Sequence, residues 1–197
     1  MAVIDKGRIG KLLEHLIGLP PGARLTDLDD AELKTNKSFP DGRPKETMFI
    51  MQLATYVDEL LFGGDFEESR LHRKIRRLLY VPVVKEGDRA EWFFLRCYDV
   101  KLEPGTDLYG QLNADYDSIR SQAVELLKTR GDGLLHTCSG ELMQVRTKDG
   151  KPYHPIYSSV LERPISNKNF AFYFKKEFMY EIQRRFGPPT AAPTQRI

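Results

Sequence analysis
The chain has 197 residues, 41% of them hydrophobic and 11% aromatic, enough for one domain with a sizeable core and unlike a low-complexity or disordered sequence. Its 30 Lys and Arg nearly balance 28 Asp and Glu, so the net charge of +2 alone names no partner, and what matters is where the charges cluster. Cys97 and Cys138 lie outside any Cys-x-x-Cys pattern, the four histidines show no ligand spacing, and no apolar run is long enough to span a bilayer; this argues against a disulfide framework, a zinc site, secretion or a membrane anchor, and a soluble, cytoplasmic protein is expected.

Ile9, Leu12, Leu13, Leu16 and Ile17 recur at helical spacing, which predicts an amphipathic first helix with Asp5 as its N-cap, stopped by "GLPPGAR". An acidic turn follows, then a strand over "AELKTN", the turn "SFPDGRP" and an apolar strand over "ETMFIMQLATYV"; these two strands are expected to form a hairpin. "FEESRLHRKIRRL" reads as a helix with Phe66, Leu71, Ile75 and Leu78 inward and its basic residues outward, running into the β-branched strand "LLYVPVV". After the turn "EGDRA" comes a single strand, "EWFFLRCYDV". Leu112, Tyr116, Ile119, Val124 and Leu127 predict a helix over 112–128. Beyond it lie the strand "GELMQVRT", the turn "KDGKP", the strand "FAFYF" and a final helix through Phe178, Ile182 and Phe186. Within "FAFYF", alternation puts Phe170, Phe172 and Phe174 on one face and Tyr173, with Lys175, on the other. The elements sum to an α/β (α+β) fold with a mixed central sheet flanked by helices, followed by a proline-rich flexible tail over 187–197.

The segment "DLDDAELK", Asp27 to Lys34, holds four carboxylates and one lysine. A charge run is usually a solvated turn, but on a strand Glu32 and Lys34 point one way while Ala31, Leu33 and Thr35 point the other. With Asp27 or Asp29 arriving from the preceding turn, two carboxylates and a lysine would share one place, a donor set suited to a hard cation such as Mg²⁺. Elsewhere base dominates: "RLHRKIRR" spans Arg70 to Arg77, and "KNFAFYFKKEF" sets Lys168, Lys175 and Lys176 among aromatics. Acid in one segment and base in two others is what a metal nuclease needs.

In order along the chain, "KGRIGKLLE", "DLDDAELKT", "GRPKETMF", "RLHRKIRRLLYVPV", "GELMQVRTK" and "FYFKKEF" resemble the MutH mismatch-repair endonucleases and the related Sau-type restriction endonucleases, from Lys6 to about Phe186. That resemblance implies a PD-(D/E)XK nuclease fold, a single endonuclease domain over 1–186 lobed around a DNA cleft, and double-stranded DNA as substrate. It implies catalytic roles for Glu14, Asp27, Glu32, Lys34 and Lys74, with Asp27 and Glu32 as ligands of Mg²⁺, for which Mn²⁺ can substitute. The stretch between Asp27 and Glu32 is shorter than the family's, which leaves Asp29 and Asp30 as alternative ligands; Asp27 is preferred because "TDL" keeps the family's Asp-apolar pair. Lys6, Arg43, Glu46, Phe49, Arg146, Lys148, Tyr173 and Lys175 match or adjoin family positions that contact DNA, with Tyr173 near the adenine whose methylation is sensed. Arg73 and Arg77 are phosphate contacts or a plain solvated face, and Phe49 has a core role as its alternative.

The implied activity is Mg²⁺-dependent, sequence-specific cleavage at GATC or a related short site, leaving 5′-phosphate and 3′-hydroxyl ends. The sequence does not separate a restriction enzyme from a repair nickase; a chain starting almost at the Lys-Gly motif tilts the reading toward the former. Expected partners are DNA together with a mismatch-repair activator or a cognate methyltransferase system, and a monomer is expected, with a dimer on DNA as the alternative. Two readings compete: a catalytically silent module that senses methylation, and a general structural domain.

Overall fold
The computed structural model describes residues 8–19 and 25–187. The expectations placed on Asp5, Lys6, Gly7 and residues 188–197 lie outside the described residues. In chain order the elements are α1 (Arg8–Leu16), β1 (Glu32–Ser38), β2 (Met48–Gln52), α2 (Val57–Phe62), α3 (Arg70–Ile75), β3 (Arg77–Val84), β4 (Phe93–Phe94), β5 (Tyr98–Lys101), α4 (Asp107–Thr129), β6 (Cys138–Ser139), β7 (Met143–Thr147), β8 (Tyr157–Ser158), β9 (Arg163–Pro164), β10 (Phe170–Phe174) and α5 (Lys176–Phe186). The class is the expected one, mixed α and β with helices flanking the sheets. Two compact units share the chain: Met1–Glu46, Lys74–Lys101 and Tyr180–Ile197 make one, and Thr47–Arg73 with Leu102–Met179 the other.

The first unit is built on β3, whose "LLYVPVV" core is buried along most of its length, as a strand covered on both faces must be. β1 runs parallel to it, from Glu32 opposite Leu78 to Ser38 opposite Val84, while β4 and β5 pair with it antiparallel. Leu13 of α1, Leu33 and Val81 form a buried apolar cluster, with Leu19, Leu28, Leu79 and Phe94 packed around it. Burying Leu33 toward α1 fixes the register of β1, because a slip of one residue would exchange its two faces. Glu32 and Lys34 are thereby assigned to the opposite face.

Two expectations fail in this unit. β1 does not form a hairpin with the next strand: the "SFPDGRP" turn supports one isolated bridge, Ser38 to Pro44, and β2 belongs to another sheet. Pro40 and Pro44 remove two N–H donors from the turn, and the apolar β3 offers β1 a far larger surface to bury. "EWFFLRCYDV" is not one strand but two, β4 and β5, separated opposite Pro82. The Pro82 carbonyl still accepts from Leu95 N at 2.8 Å, but proline has no N–H to return, so the ladder is broken there.

The second unit is an antiparallel sheet in the order β2-β10-β7-β6, with α4 packed on β6 and β7. Leu112, Tyr116, Ile119 and Ala123 supply the buried stripe of α4, which starts at Thr106, whose hydroxyl accepts from Tyr109 N at 3.3 Å. Phe170, Phe172 and Phe174 are buried and Tyr173 is half-buried, as the alternation expects, but Ala171 on the Tyr173 face is buried as well. The predicted strand over 46–57 is shorter than expected; β2 ends at Gln52 and the chain turns into α2. The helix expected over 66–78 is also divided, into a 3-10 turn at Phe66–Glu68 and α3, because the Ser69 hydroxyl interrupts it by accepting from His72 N. Phe66, Leu71, Ile75 and Leu78 are nevertheless all buried, though the helix ends at Ile75 and Leu78 is buried as part of β3.

Candidate active site
Glu32 is the first residue of β1 and only 2% exposed, a costly place for a carboxylate unless it is compensated. Compensation comes from two ammonium groups, both on one oxygen: Lys34 Nζ lies 2.5 Å and Lys74 Nζ 2.7 Å from Glu32 Oε1. Lys34 arrives by strand alternation, two residues along the same face. Lys74 arrives from α3, near the start of β3, and also donates to Leu25 O at 2.6 Å. The other oxygen, Glu32 Oε2, is buried and has no hydrogen-bond partner among the described residues.

Asp27 comes from the bend before β1, where its Oδ2 accepts from Leu33 N at 3.0 Å. This bond ties the acidic turn to the beginning of the strand and brings the Asp27 carboxylate to the backbone between Glu32 and Lys34. Asp30 is turned elsewhere, its Oδ2 2.5 Å from Arg77 Nη1, and Arg77 also engages Asp99. Hydrogen bonds that Arg77 donates to Asp99 and then to Asp30 push its guanidinium pKa up, so it stays charged, and the same pairing with Arg77 lowers that of Asp99. Glu14 lies on α1, its Oε1 4.0 Å from the point where a side chain on Gly10 would begin, and Thr35 Oγ1 is equally close to that point.

Among the described residues no three His, Cys, Asp or Glu side chains gather as a ready-made metal cage. The donor set nevertheless fits a hard divalent cation. A buried carboxylate oxygen with no hydrogen-bond partner among the described residues, and a second carboxylate held on the backbone of the next residue of β1, are the one or two protein oxygens that Mg²⁺ commonly takes, the remainder being water and phosphate.

No protein-family model matches the chain. Among curated proteins, it is 30% identical over 189 residues to the DNA mismatch repair protein MutH of Vibrio cholerae serotype O1 strain M66-2, covering 92% of this chain and 81% of that one. It is likewise 30% identical over 193 residues to MutH of Salmonella paratyphi B, covering 92% and 77% of the two chains. The chain belongs to the MutH family of DNA endonucleases. Like the rest of that family it is an enzyme that hydrolyses DNA phosphodiester bonds, and among its described residues no helix is long and apolar enough to cross a membrane.

In this MutH-family chain the other expected positions separate into those the structure gathers and those it does not. Phe49, Arg146, Lys148 and Tyr173 come together in the second unit. The Phe49 and Tyr173 rings meet edge to face at 5.7 Å, the Arg146 guanidinium stands 5.0 Å above Tyr173, and Lys148 Nζ stands 3.0 Å from the Phe49 centroid. Burial raises the Tyr173 hydroxyl pKa, and the Arg146 charge works against that rise. Phe49 is half-buried under a cation rather than part of the core. Lys175 donates instead to Gly140 O at 3.1 Å, and Arg73 is exposed on α3. In the first unit, exposed Arg43 pairs with Asp41 and lies over Phe39, while Glu46 is exposed and its carbonyl accepts from Asn36 Nδ2. Lys6 lies outside the described residues.

Two carboxylates in the second unit had drawn no expectation. Asp115, 2% exposed within α4, accepts from the backbone N–H groups of Glu141, Leu142 and Met143 at 2.6–2.8 Å and from Gln111 Nε2. Asp149 accepts from three backbone N–H groups and one imidazole. Their donors are main-chain atoms, which carry no residue identity, so no motif announces them; the only sequence signal is an Asp on the apolar stripe of a helix and an Asp-Gly after a strand.

Proposed function
We propose that this enzyme is a Mg²⁺-dependent, sequence-specific endonuclease of DNA mismatch repair, directed to GATC or a related short site and sensitive to its methylation. The observation that carries the reading is Glu32: a buried carboxylate with one oxygen held by two lysines and the other without a partner among the described residues. Asp27 and Glu32 would hold the cation, with Mn²⁺ as a substitute, and when bound it supplies Lewis-acid activation of the phosphate and of the attacking water. Lys34 orients that water and offsets the charge that builds up on the pentavalent transition state. Lys74, fixed by the Leu25 carbonyl, holds the Glu32 carboxylate in one orientation and adds positive potential where the phosphate arrives. Glu14, on α1 near Thr35, stands on the Leu33 face of β1, opposite Glu32 and Lys34, and is assigned no part in holding the cation. In-line displacement leaves a 5′-phosphate and a 3′-hydroxyl.

Recognition is assigned to the second unit's ring-and-cation group. Arg146 and Lys148 suit guanine acceptors in the major groove, Phe49 a base step, and Tyr173 the adenine methyl group. Lys6, Arg43, Glu46, Arg73, Arg77 and Lys175 are assigned supporting DNA contacts, of which Arg77 would have to exchange its two carboxylates for phosphate. The relatives named for mismatch repair favour a repair role, with an activator protein as partner.

The test is digestion of unmethylated, hemimethylated and fully methylated GATC plasmids with Mg²⁺, Mn²⁺, Ca²⁺ or EDTA. Nicks with 5′-phosphate ends are expected at GATC on unmethylated strands in Mg²⁺ and Mn²⁺. Robust cutting in EDTA would overturn the cation assignment, and equal cutting of a plasmid lacking GATC would overturn the specificity.

A further inference from the structure
Lys148 lies just past the end of β7, where the ladder with β10 no longer holds the chain by itself. One more backbone bond, Lys148 N to Asn169 O at 2.9 Å, carries the pairing a residue further. Beyond it one side chain ties the start of the loop, Gly150 to His154, to Asn169 at its end. Asp149 Oδ2 accepts from His154 N at 2.5 Å and Asn169 N at 2.9 Å, and Oδ1 accepts from Gly150 N at 2.9 Å, with His154 Nδ1 at the same distance. Asn169 is therefore bound through its carbonyl to Lys148 and through its N–H to Asp149, and its amide donates to Gln52 Oε1. The Asp149 side chain is 4% exposed while His154 is 71% exposed, so the carboxylate faces the loop's own backbone and not solvent or a ligand. The backbone N–H groups of His154 and Asn169 hold its carboxyl well below the usual carboxylate range, consistent with an acceptor that is always ionised.

We infer that Asp149 is a positioning residue for base recognition: without touching DNA, it fixes the loop that sets the direction from which Lys148 reaches a base edge. The inference rests on the assignment of Lys148 to base contact made above. A long, flexible ammonium side chain discriminates between bases only if its root is held still, since discrimination requires a fixed donor direction. An Asn at position 149 keeps the size but turns one acceptor into a donor aimed at converging N–H groups, so the loop must rearrange.

The experiment measures binding of the full chain to cognate and non-cognate duplexes in Ca²⁺ for wild type, Lys148→Ala, Asp149→Asn and the double variant. Lys148→Ala is expected to narrow the cognate to non-cognate ratio roughly tenfold, within the range for a base contact. Asp149→Asn should narrow it by a similar factor with non-cognate binding little changed, and the double variant should lose no more than Lys148→Ala alone, because both act through one side chain. Equal weakening on both duplexes, multiplying losses in the double variant, or an unchanged ratio for Asp149→Asn would overturn the inference. If Lys148→Ala itself leaves the ratio unchanged, the recognition assignment falls and this inference with it; if only Asp149→Asn leaves it unchanged, the inference alone falls. Should Asp149→Asn fail to fold, His154→Ala removes one bond to the same carboxylate from an exposed position, and it is expected to narrow the ratio by a smaller factor, again non-additively with Lys148→Ala; no narrowing overturns the inference.

Discussion
Glu32 in the first unit and Asp115 in the second are both carboxylates at 2% exposure, and they are treated in opposite ways. Asp115 is saturated by three backbone N–H groups and an amide, and Gly140 approaches so closely that a side chain there would begin 2.4 Å from the Asp115 carboxyl carbon. Glu32 is compensated by two lysine ammonium groups on one oxygen only, leaving Oε2 without a hydrogen-bond partner among the described residues. A closed carboxylate spends its capacity on holding a loop, whereas one left open keeps a charge available for something the protein does not supply. Burial alone therefore does not separate these two acids; the nature of their partners does.

The comparison breaks most visibly if the two acids are neutralised in turn. Glu32→Gln should lower cleavage at least about 100-fold, the scale of losing a charge-stabilising group, while thermal unfolding moves little. Asp27→Asn should be nearly as damaging and Asp30→Asn far milder, since Asp27 is tied to the backbone of β1 and Asp30 to Arg77; single-turnover cleavage ranks them, and a reversed order would move the ligand to Asp30. Asp115→Asn should do the converse of Glu32→Gln: cleavage per folded molecule retained, stability reduced by roughly 1.5–3 kcal/mol, the worth of a hydrogen bond to a charged group. Gly140→Ala should destabilise in the same way by overpacking, about 1–3 kcal/mol. Melting curves read both, and a folded, inactive Asp115→Asn would undo the distinction.

The smallest effect concerns an acid that is neither closed nor open. Glu181 on α5 faces solvent beside Arg184 and Arg185, and bonds from Arg184, opposed by desolvation and aided by Arg185, hold its pKa at about 2 against an ordinary 4.5. A folded pKa below the unfolded one gives stability that is present above pH 4.5 and is lost as pH falls through about 2. Glu181→Gln should cost only about 0.3–0.5 kcal/mol at neutral pH, the worth of an exposed helical pair, with the difference fading toward pH 2 and in high salt. A larger or salt-independent loss would mean that solvent does not screen this pair.

What could be read in the sequence follows from how local each signal is. Strand alternation placed Glu32 and Lys34 on one face, and helical periodicity found Leu112, Tyr116 and Ile119, because both depend only on neighbouring residues. The pairing of β1 with β3 instead of β2 was not legible: it is decided by which distant apolar surface β1 can share, and the "PDG" turn suggested a closer partner. The gap opposite Pro82 could have been anticipated, since a proline inside an otherwise continuous strand removes one ladder donor. Of the acids, Asp27 was left open among three candidates, and its bond to Leu33 N, against the pairing of Asp30 with Arg77, is what distinguishes it geometrically from Asp30. Asp115 meets its donors 26 to 28 positions later in the chain, beyond any local pattern.

The parallel register of β1 on β3 also sets the order of events during synthesis. Glu32 finds its place only when Leu78 stands opposite, and Lys74 is made just before it, so the carboxylates of the acidic turn leave the ribosome well before the strand and the lysine that organise them. Closing a loop of that length adds little to the thermodynamic cost, which grows only logarithmically with length, but it delays the contact. A nascent chain thus carries its acidic turn for some time without the groups that compensate it, and the Glu32 carboxylate meets both of its lysines on a formed sheet only after β3 has been made.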